Sequence, residues 1–351
     1  MTKQNQKIGL LAATSLVVGN IIGAGIFVLP ASLGKFGSIS IVGWLFTATG
    51  ALILAKIFSN FSKKLKGKSG GPYIYSKVVF GDFIGFLVAW GYWISCWVNN
   101  AAIAVAIVSA LSFFFPELVT NPFYATITGL SFIWFFTFTS SKGIKSSGNI
   151  QILTTIAKLI PLVLIILFGF FIFDLEIFPE FNLTDQNDFE ILPVVAVMTL
   201  YAFLGLECAS IPAENIKNPE KTIPKATMAG TLISTLIYIL STIVLFGIIP
   251  AENLVNSPAP FAEAGEIIGG KYFGFLISAG AAISAIGALN GWILITSYMP
   301  MTMANDRLFP KVFAKKNKKG FPYLSLLLGS ILTSFVMTMN YTDGLVDRFE
   351  F

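Results

Sequence analysis

Gly19-Asn20-Ile21-Ile22-Gly23-Ala24-Gly25-Ile26-Phe27, with Pro30 close behind, lies inside the first long apolar run of the chain, residues 8–33. Glycines at 19, 23 and 25 weaken a helix, and Asn20 adds an amide at a depth where polar groups are costly. One reading is a small-residue packing face, because Gly23-Ala24-Gly25 lets a neighbouring helix approach closely. The sharper reading is an unwound segment. Backbone of that kind is tolerated at membrane depth only where it is buried in protein or lines a cavity, so its freed N–H and C=O groups make a ligand site. Tyr201-Ala202-Phe203-Leu204-Gly205-Leu206-Glu207-Cys208-Ala209-Ser210, followed by Pro212, offers a counterpart further along.

Outward from these two stretches the chain reads as an all-α integral membrane protein. Of its 351 residues 55% are hydrophobic and 12% charged, against roughly 25% charged in an ordinary soluble domain. Its 34 Phe, 10 Tyr and 6 Trp exceed what an interior of this size can hide, so membrane lipid is the partner they imply. Crossing a hydrocarbon core of about 30 Å takes about 20 residues of helix. Apolar runs at 8–33, 38–59, 81–112, 122–140, 148–173, 190–212, 225–249, 272–300 and 322–340 predict nine spans in one membrane domain, 1–351. The first run is longer than a signal-peptide core and is followed by eight more, so it stays in the mature protein.

Lys and Arg are retained on the cytoplasmic side. With the N-terminus cytoplasmic, nineteen of the 23 fall inside; Lys35, Lys271 and Arg348 fall outside, and Lys158 lies within a span. The outside segment after the fifth span instead carries Asp174, Glu176, Glu180, Asp185, Asp188 and Glu190. The net charge of +5 therefore reflects topology and not a nucleic-acid-binding face.

The chain has no His, and Cys96 and Cys208 both sit in apolar runs. That removes the usual metal ligand and general base, so no enzyme activity, metal or cofactor is expected. Lys158 and Glu207 are the ionisable residues well inside the spans, each costing about 3 kcal/mol or more unless paired or hydrated. A structural salt bridge between them, snorkelling by Lys158, proton coupling, or a carboxylate serving a cationic solute all fit. Tyr92, Trp93, Tyr201 and Trp292 also fall mid-span, where they either pack in the core or form an aromatic box about 6 Å from a cation.

Several motifs follow one another over essentially the whole chain: Gly19 to Pro30, Gly70-Gly-Pro-Tyr-Ile-Tyr75, Tyr92-Trp-Ile-Ser-Cys-Trp-Val-Asn-Asn100, Gly205-Leu-Glu207, Lys217-Asn-Pro219 and Asn305-Asp-Arg-Leu-Phe-Pro310. Together they resemble the amino acid, polyamine and organocation (APC) transporter family, most closely its bacterial basic amino acid/polyamine antiporters of the arginine/agmatine type. The resemblance implies an inverted five-plus-five helix repeat with broken helices 1 and 6, here residues 8–173 and an incomplete 190–351. It implies an antiporter of the bacterial inner membrane that binds a small-molecule amino acid or polyamine and is compatible with a homodimer.

Carried over by motif, the carboxylate and amino group of the solute fall to unwound backbone at Ile21, Gly23, Ala24 and Gly25, beside the further substrate-binding residue Asn20, and at Ala202, Leu204 and Gly205. Its side-chain end falls to Ser95, Cys96 and Asn100 and to the aromatics Tyr92, Tyr201 and Trp292. Glu207 takes gating and proton sensing. Lys158 takes the position where sodium-coupled relatives hold an ion, which argues against sodium coupling. Ala24 and Tyr201 replace the branch's Ser and Trp, which could shift selectivity toward ornithine, lysine or putrescine. The family usually has roughly twelve spans, so ending at Glu350-Phe351 reads as a C-terminal truncation. That admits a proton-coupled symporter, or a non-transporting relic, beside the exchanger.

Overall fold

Hydrocarbon offers no partner to a backbone N–H or C=O, so a chain this apolar must satisfy its backbone within helices. The computed structural model describes residues 7–65, 67–112 and 114–341; Lys3, Lys66, Arg348 and the chain end at Glu350-Phe351 lie outside the described residues. The helices are α1 (Leu10–Ile21), α2 (Leu29–Gly34), α3 (Ile39–Lys64), α4 (Pro72–Phe80), α5 (Asp82–Ser112), α6 (Glu117–Thr120) and α7 (Pro122–Ser141). They continue with α8 (Ile144–Gly169), α9 (Asp188–Tyr201), α10 (Pro219–Phe246), α11 (Ala251–Asn256), α12 (Pro260–Gly269), α13 (Lys271–Asn305) and α14 (Tyr323–Asn340). Among the described residues there is no strand beyond an isolated parallel bridge between Ile8 and Ile216.

Among the described residues seven helices, α3, α5, α7, α8, α10, α13 and α14, are long and apolar enough to cross a membrane. They answer to seven of the nine expected runs. The other two, 8–33 and 190–212, are interrupted, so no single helix in either has the length of a span. α1 stops at Ile21, a 3-10 turn covers Gly25–Phe27, and α2 resumes at Leu29. α9 stops at Tyr201, and turns lead to a 3-10 segment at Cys208–Ser210. Large apolar side chains such as Phe46, Phe83, Leu153 and Phe171 point outward from the bundle, as lipid contact requires. The chain is a multi-pass membrane protein.

α1 is the buried axis, packed against α10, α8 and α13, with Ser15 to Ile21 buried throughout. Its broken end meets the second break backbone to backbone. Gly205 has φ +112°, and a methyl group there would lie 2.9 Å from the Asn20 carbonyl carbon and 3.0 Å from the Ile21 nitrogen. Tyr238 on α10 ties both breaks, its single hydroxyl hydrogen shared between Ile21 O at 2.7 Å and Ala202 O at 3.1 Å.

α4 straps one end of the bundle. The Gly70 N–H donates to Ile211 O at 3.0 Å and the Glu214 N–H to Ser69 Oγ at 3.0 Å, which fixes α4 to the segment after the second break. Asp306, just past α13, accepts from Tyr73 at 2.6 Å and pairs with Lys77 at 2.8 Å; Lys77 also reaches Asp82 at 3.3 Å. Burial works to raise the pKa of the Asp306 carboxyl, but hydrogen bonds from Lys77 and Tyr73 outweigh it and hold the group below its ordinary value. A carboxylate whose folded pKa is depressed stabilises the fold above its unfolded pKa and loses that contribution as pH falls through the folded value.

Gly205→Ala is expected to lower stability by about 1–3 kcal/mol, through strain and backbone overlap. Gly25→Ala, where nothing lies within 4 Å of the new methyl, should leave stability nearly unchanged. Thermal melts of the two detergent-solubilised variants check the contrast. Asp306→Asn should reduce the melting temperature at pH 7 by the equivalent of up to about 1 kcal/mol. The gap from the parent should close once the pH is taken well below the ordinary carboxylate value of 3.8.

Candidate functional site

Every carbonyl from Gly19 to Gly23 is taken. Lys158 Nζ on α8 donates to Gly19 O at 3.0 Å, to Ile22 O, and across to Ser284 O of α13 at 3.2 Å. Ser284 Oγ contacts Ile22 O at 3.2 Å and Gly23 O at 2.9 Å, and Trp292 Nε1 donates to Asn20 O at 3.3 Å. Tyr238 holds Ile21 O. With Lys158 fully buried and its three donors used on backbone, neither snorkelling nor a salt bridge to Glu207 is present among the described residues.

The donor side of the break is the reverse. Among the described residues, the N–H groups of Ala24, Gly25 and Ile26 meet no acceptor. Ala24 and Gly25 line a cavity of about 550 Å³ walled by Phe27, by Ser109 and Ala106 of α5, by Phe261 of α12 and by Ile277 and Ser278 of α13. No charged side chain contributes to its wall.

At the second break Glu207 caps its own segment. Its Oε2 accepts from the Gly205 N–H at 3.1 Å and its Oε1 from the Tyr92 hydroxyl at 2.6 Å. Asn20 Nδ2 donates to Cys208 Sγ at 3.0 Å, so the two breaks are joined by side chains as well as by backbone contact. Tyr92, Cys96 and Asn100 recur every fourth residue and share one face of α5; Asn100 Nδ2 reaches Thr296 on α13 at 3.0 Å.

The structure thus brings together Asn20, Ile21, Gly23, Ala24, Gly25, Tyr92, Cys96, Ala202, Gly205, Trp292, Glu207 and Lys158 around the two breaks, while Asn100, one turn beyond Cys96, meets Thr296 of α13 instead. Ser95 is outside this group: one residue before Cys96, it is turned about 100° round α5, is exposed, and donates back to Tyr92 O at 2.8 Å. Tyr201 and Leu204 are 67% and 53% exposed and stand apart as well. Among the described residues no two rings of Tyr92, Tyr201 and Trp292 touch. Trp93 packs with Trp90, Trp97 and Phe309 at centroid distances of 5.5, 6.5 and 6.1 Å, a core role. Sequence reasoning missed Ser284 and Tyr238, because a hydroxyl in an apolar helix carries no local sign of the carbonyl it will meet.

The sequence profile of the family described as amino acid permease matches residues 8–346. The chain is 34% identical over 335 residues to the cadaverine/lysine antiporter of Escherichia coli strain K12, covering 95% of this chain and 75% of that protein. It is 33% identical over 353 residues to the arginine/ornithine antiporter of Pseudomonas aeruginosa, covering 97% and 73%. To the putrescine transporter PotE of Haemophilus influenzae it is 33% identical over 354 residues, covering 100% and 80%. A solved Na+-coupled sialic acid symporter in a substrate-bound outward-open state shares the fold at TM-score 0.62 and 16% identity, over 98% of this chain and 75% of that one. The profile match and these relatives take in nearly all of the described residues and both helix breaks, and the chain belongs to the amino acid permease family.

Proposed function

We propose that the chain is a secondary active transporter that exchanges a basic amino acid, arginine, ornithine or lysine, for its decarboxylated amine by alternating access. The observation that carries this reading is the pair of free N–H groups at Ala24 and Gly25 on the cavity wall, with that of Ile26 next in the chain. Successive N–H groups of this kind make an anion-binding concavity, suited to an amino acid carboxylate. Carbonyls of Ala202 to Gly205, although Ala202 O already accepts from Tyr238, would receive the amino group on their second lone pairs, and the faces of Tyr92 and Trp292 the cationic end. The names of the antiporter relatives support the solute class.

In this reading the interrupted run 8–33 opens one five-helix repeat and the interrupted run 190–212 opens its inverted partner. Counting both as spans gives nine, with the N-terminus on the cytoplasmic side of a bacterial inner membrane. Tyr201 and Leu204 remain in the proposed site as residues that movement of α9 would bring in.

A second reading, proton symport of a neutral amino acid, is favoured by the uncharged cavity wall and by Lys158. An ammonium has three donors and a free amine two, so proton loss would release one carbonyl at the break. The proton would then govern how firmly the break is held, in either reading.

Proteoliposomes loaded with unlabelled cadaverine or lysine should accumulate radiolabelled lysine by counterflow. Absence of counterflow from monodisperse protein would overturn the exchange reading. Uptake of a neutral amino acid that depends on an inward proton gradient would favour the second. Trp292→Leu and Glu207→Ala should each slow exchange by about tenfold or more, equivalent to about 1.4 kcal/mol, with yields of folded protein changed far less. Unaltered exchange in both removes the site assignment.

A further inference from the structure

The face of α8 that carries Lys158 continues as a buried polar column toward the α7–α8 turn. Thr155, Thr154, Gln151 and Ser147 follow Lys158 at three- and four-residue steps and are at most 8% exposed. From Lys158 to Ser147 the helix rises about 16 Å, roughly half of a hydrocarbon core of about 30 Å. Thr154 Oγ1 and Lys158 Cε both abut Gly287 of α13, at 2.6 and 3.5 Å from where a methyl group would sit. At the other end Ser147 Oγ meets Ser140 Oγ at 2.9 Å with either able to donate. Exposed Lys142 stands at the turn just beyond.

Three amides from three helices converge midway. Asn290 Nδ2 of α13 donates to Gln151 Oε1 at 2.7 Å and to Ser147 O at 3.1 Å. Asn20 Oδ1 and Gln151 Oε1 both face Gly291. Gln151 Nε2, Asn290 Oδ1 and Asn20 Oδ1, all buried, have no partner among the described residues. One donor and two acceptors left over complement a single water, which accepts one hydrogen bond and donates two.

We propose that this column is the route by which Lys158 exchanges its proton with the membrane face at the α7–α8 turn, Gln151 and Asn290 holding one water at its midpoint. The inference rests on the proton role of Lys158 given above. At rest the three ammonium hydrogens lie on backbone carbonyls, and the Thr154 and Thr155 hydroxyls on Ile150 O and Ser15 O. When one ammonium hydrogen and these hydroxyls turn into the column, the ammonium gives one proton to it. Each hydroxyl or water accepts a proton on a lone pair and releases its own to the next, and one proton leaves at the Ser140 end. Lys158 becomes a neutral amine and nothing is oxidised. The charged groups of the helices packed on α8 lie toward helix ends: Glu220, Lys221 and Lys225 on α10, Glu263 and Glu266 on α12, Lys271 on α13. Among titratable groups of the described residues, Tyr238 approaches the break that Lys158 holds through Ile21 O, and Cys208 through Asn20 Nδ2.

The test uses reconstituted full-length chain, with radiolabelled lysine as probe, in two modes: uptake driven by an imposed proton gradient, and lysine/lysine exchange without one. Gln151→Leu should cut gradient-driven uptake by about tenfold or more and affect exchange much less. Ser147→Ala, which removes only a hydroxyl, should act in the same direction and covers failure of the first variant to fold. Equal losses in both modes, or no loss in either variant, would overturn the route. Wild-type exchange without any gradient-driven uptake would instead overturn the proton role of Lys158 itself.

Discussion

A helix that stops in mid-membrane leaves carbonyls that water cannot reach, each costing several kcal/mol if unmet. Lys158 meets that deficit. Its ammonium is the densest donor a side chain can supply, and it spends one hydrogen on each of two carbonyls at the α1 break and the third on α13. Burying the charge is unfavourable in isolation and leaving the carbonyls bare is too; together they offset each other. The position of α1 relative to α8 and α13 follows from this contact.

Around it the second break is held in a matching way, but by an acid. Glu207 accepts from the N–H groups and hydroxyl that its own segment and Tyr92 present, so one break is stabilised by donors and the other by an acceptor. Tyr238, the Asn20–Cys208 hydrogen bond and the backbone approach at Gly205 then lock the two together. The chain tolerates two failures of helical hydrogen bonding because each lies within reach of the other's supports.

Much of this was legible in the sequence, for identifiable reasons. Glycine and asparagine in an apolar run are locally unfavourable, and Lys158 and Glu207 are globally so; both kinds of exception marked the breaks. The uninterrupted spans were legible because lipid imposes length and composition. Less visible were features that depend on rotation about a helix or on partners far away in sequence. Ser95 and Cys96 are neighbours in the chain but face different directions, and Tyr201 ends its helix with its ring outward. The short α4 strap is too brief and too polar to resemble a span, and its partner Asp306 lies 233 residues from Tyr73.

The α1 break is lopsided: its acceptors are saturated and its donors are bare. An exchanger working through such a break would hold its two cargoes unequally. An amino acid could fill the bare N–H groups at Ala24 and Gly25 with its carboxylate, whereas the amine left after decarboxylation has nothing to place there and would forgo roughly 1–3 kcal/mol of hydrogen bonding. The weaker guest leaves faster, so the order of loading and release would be biased by chemistry at a single turn of backbone, independently of any gradient across the membrane.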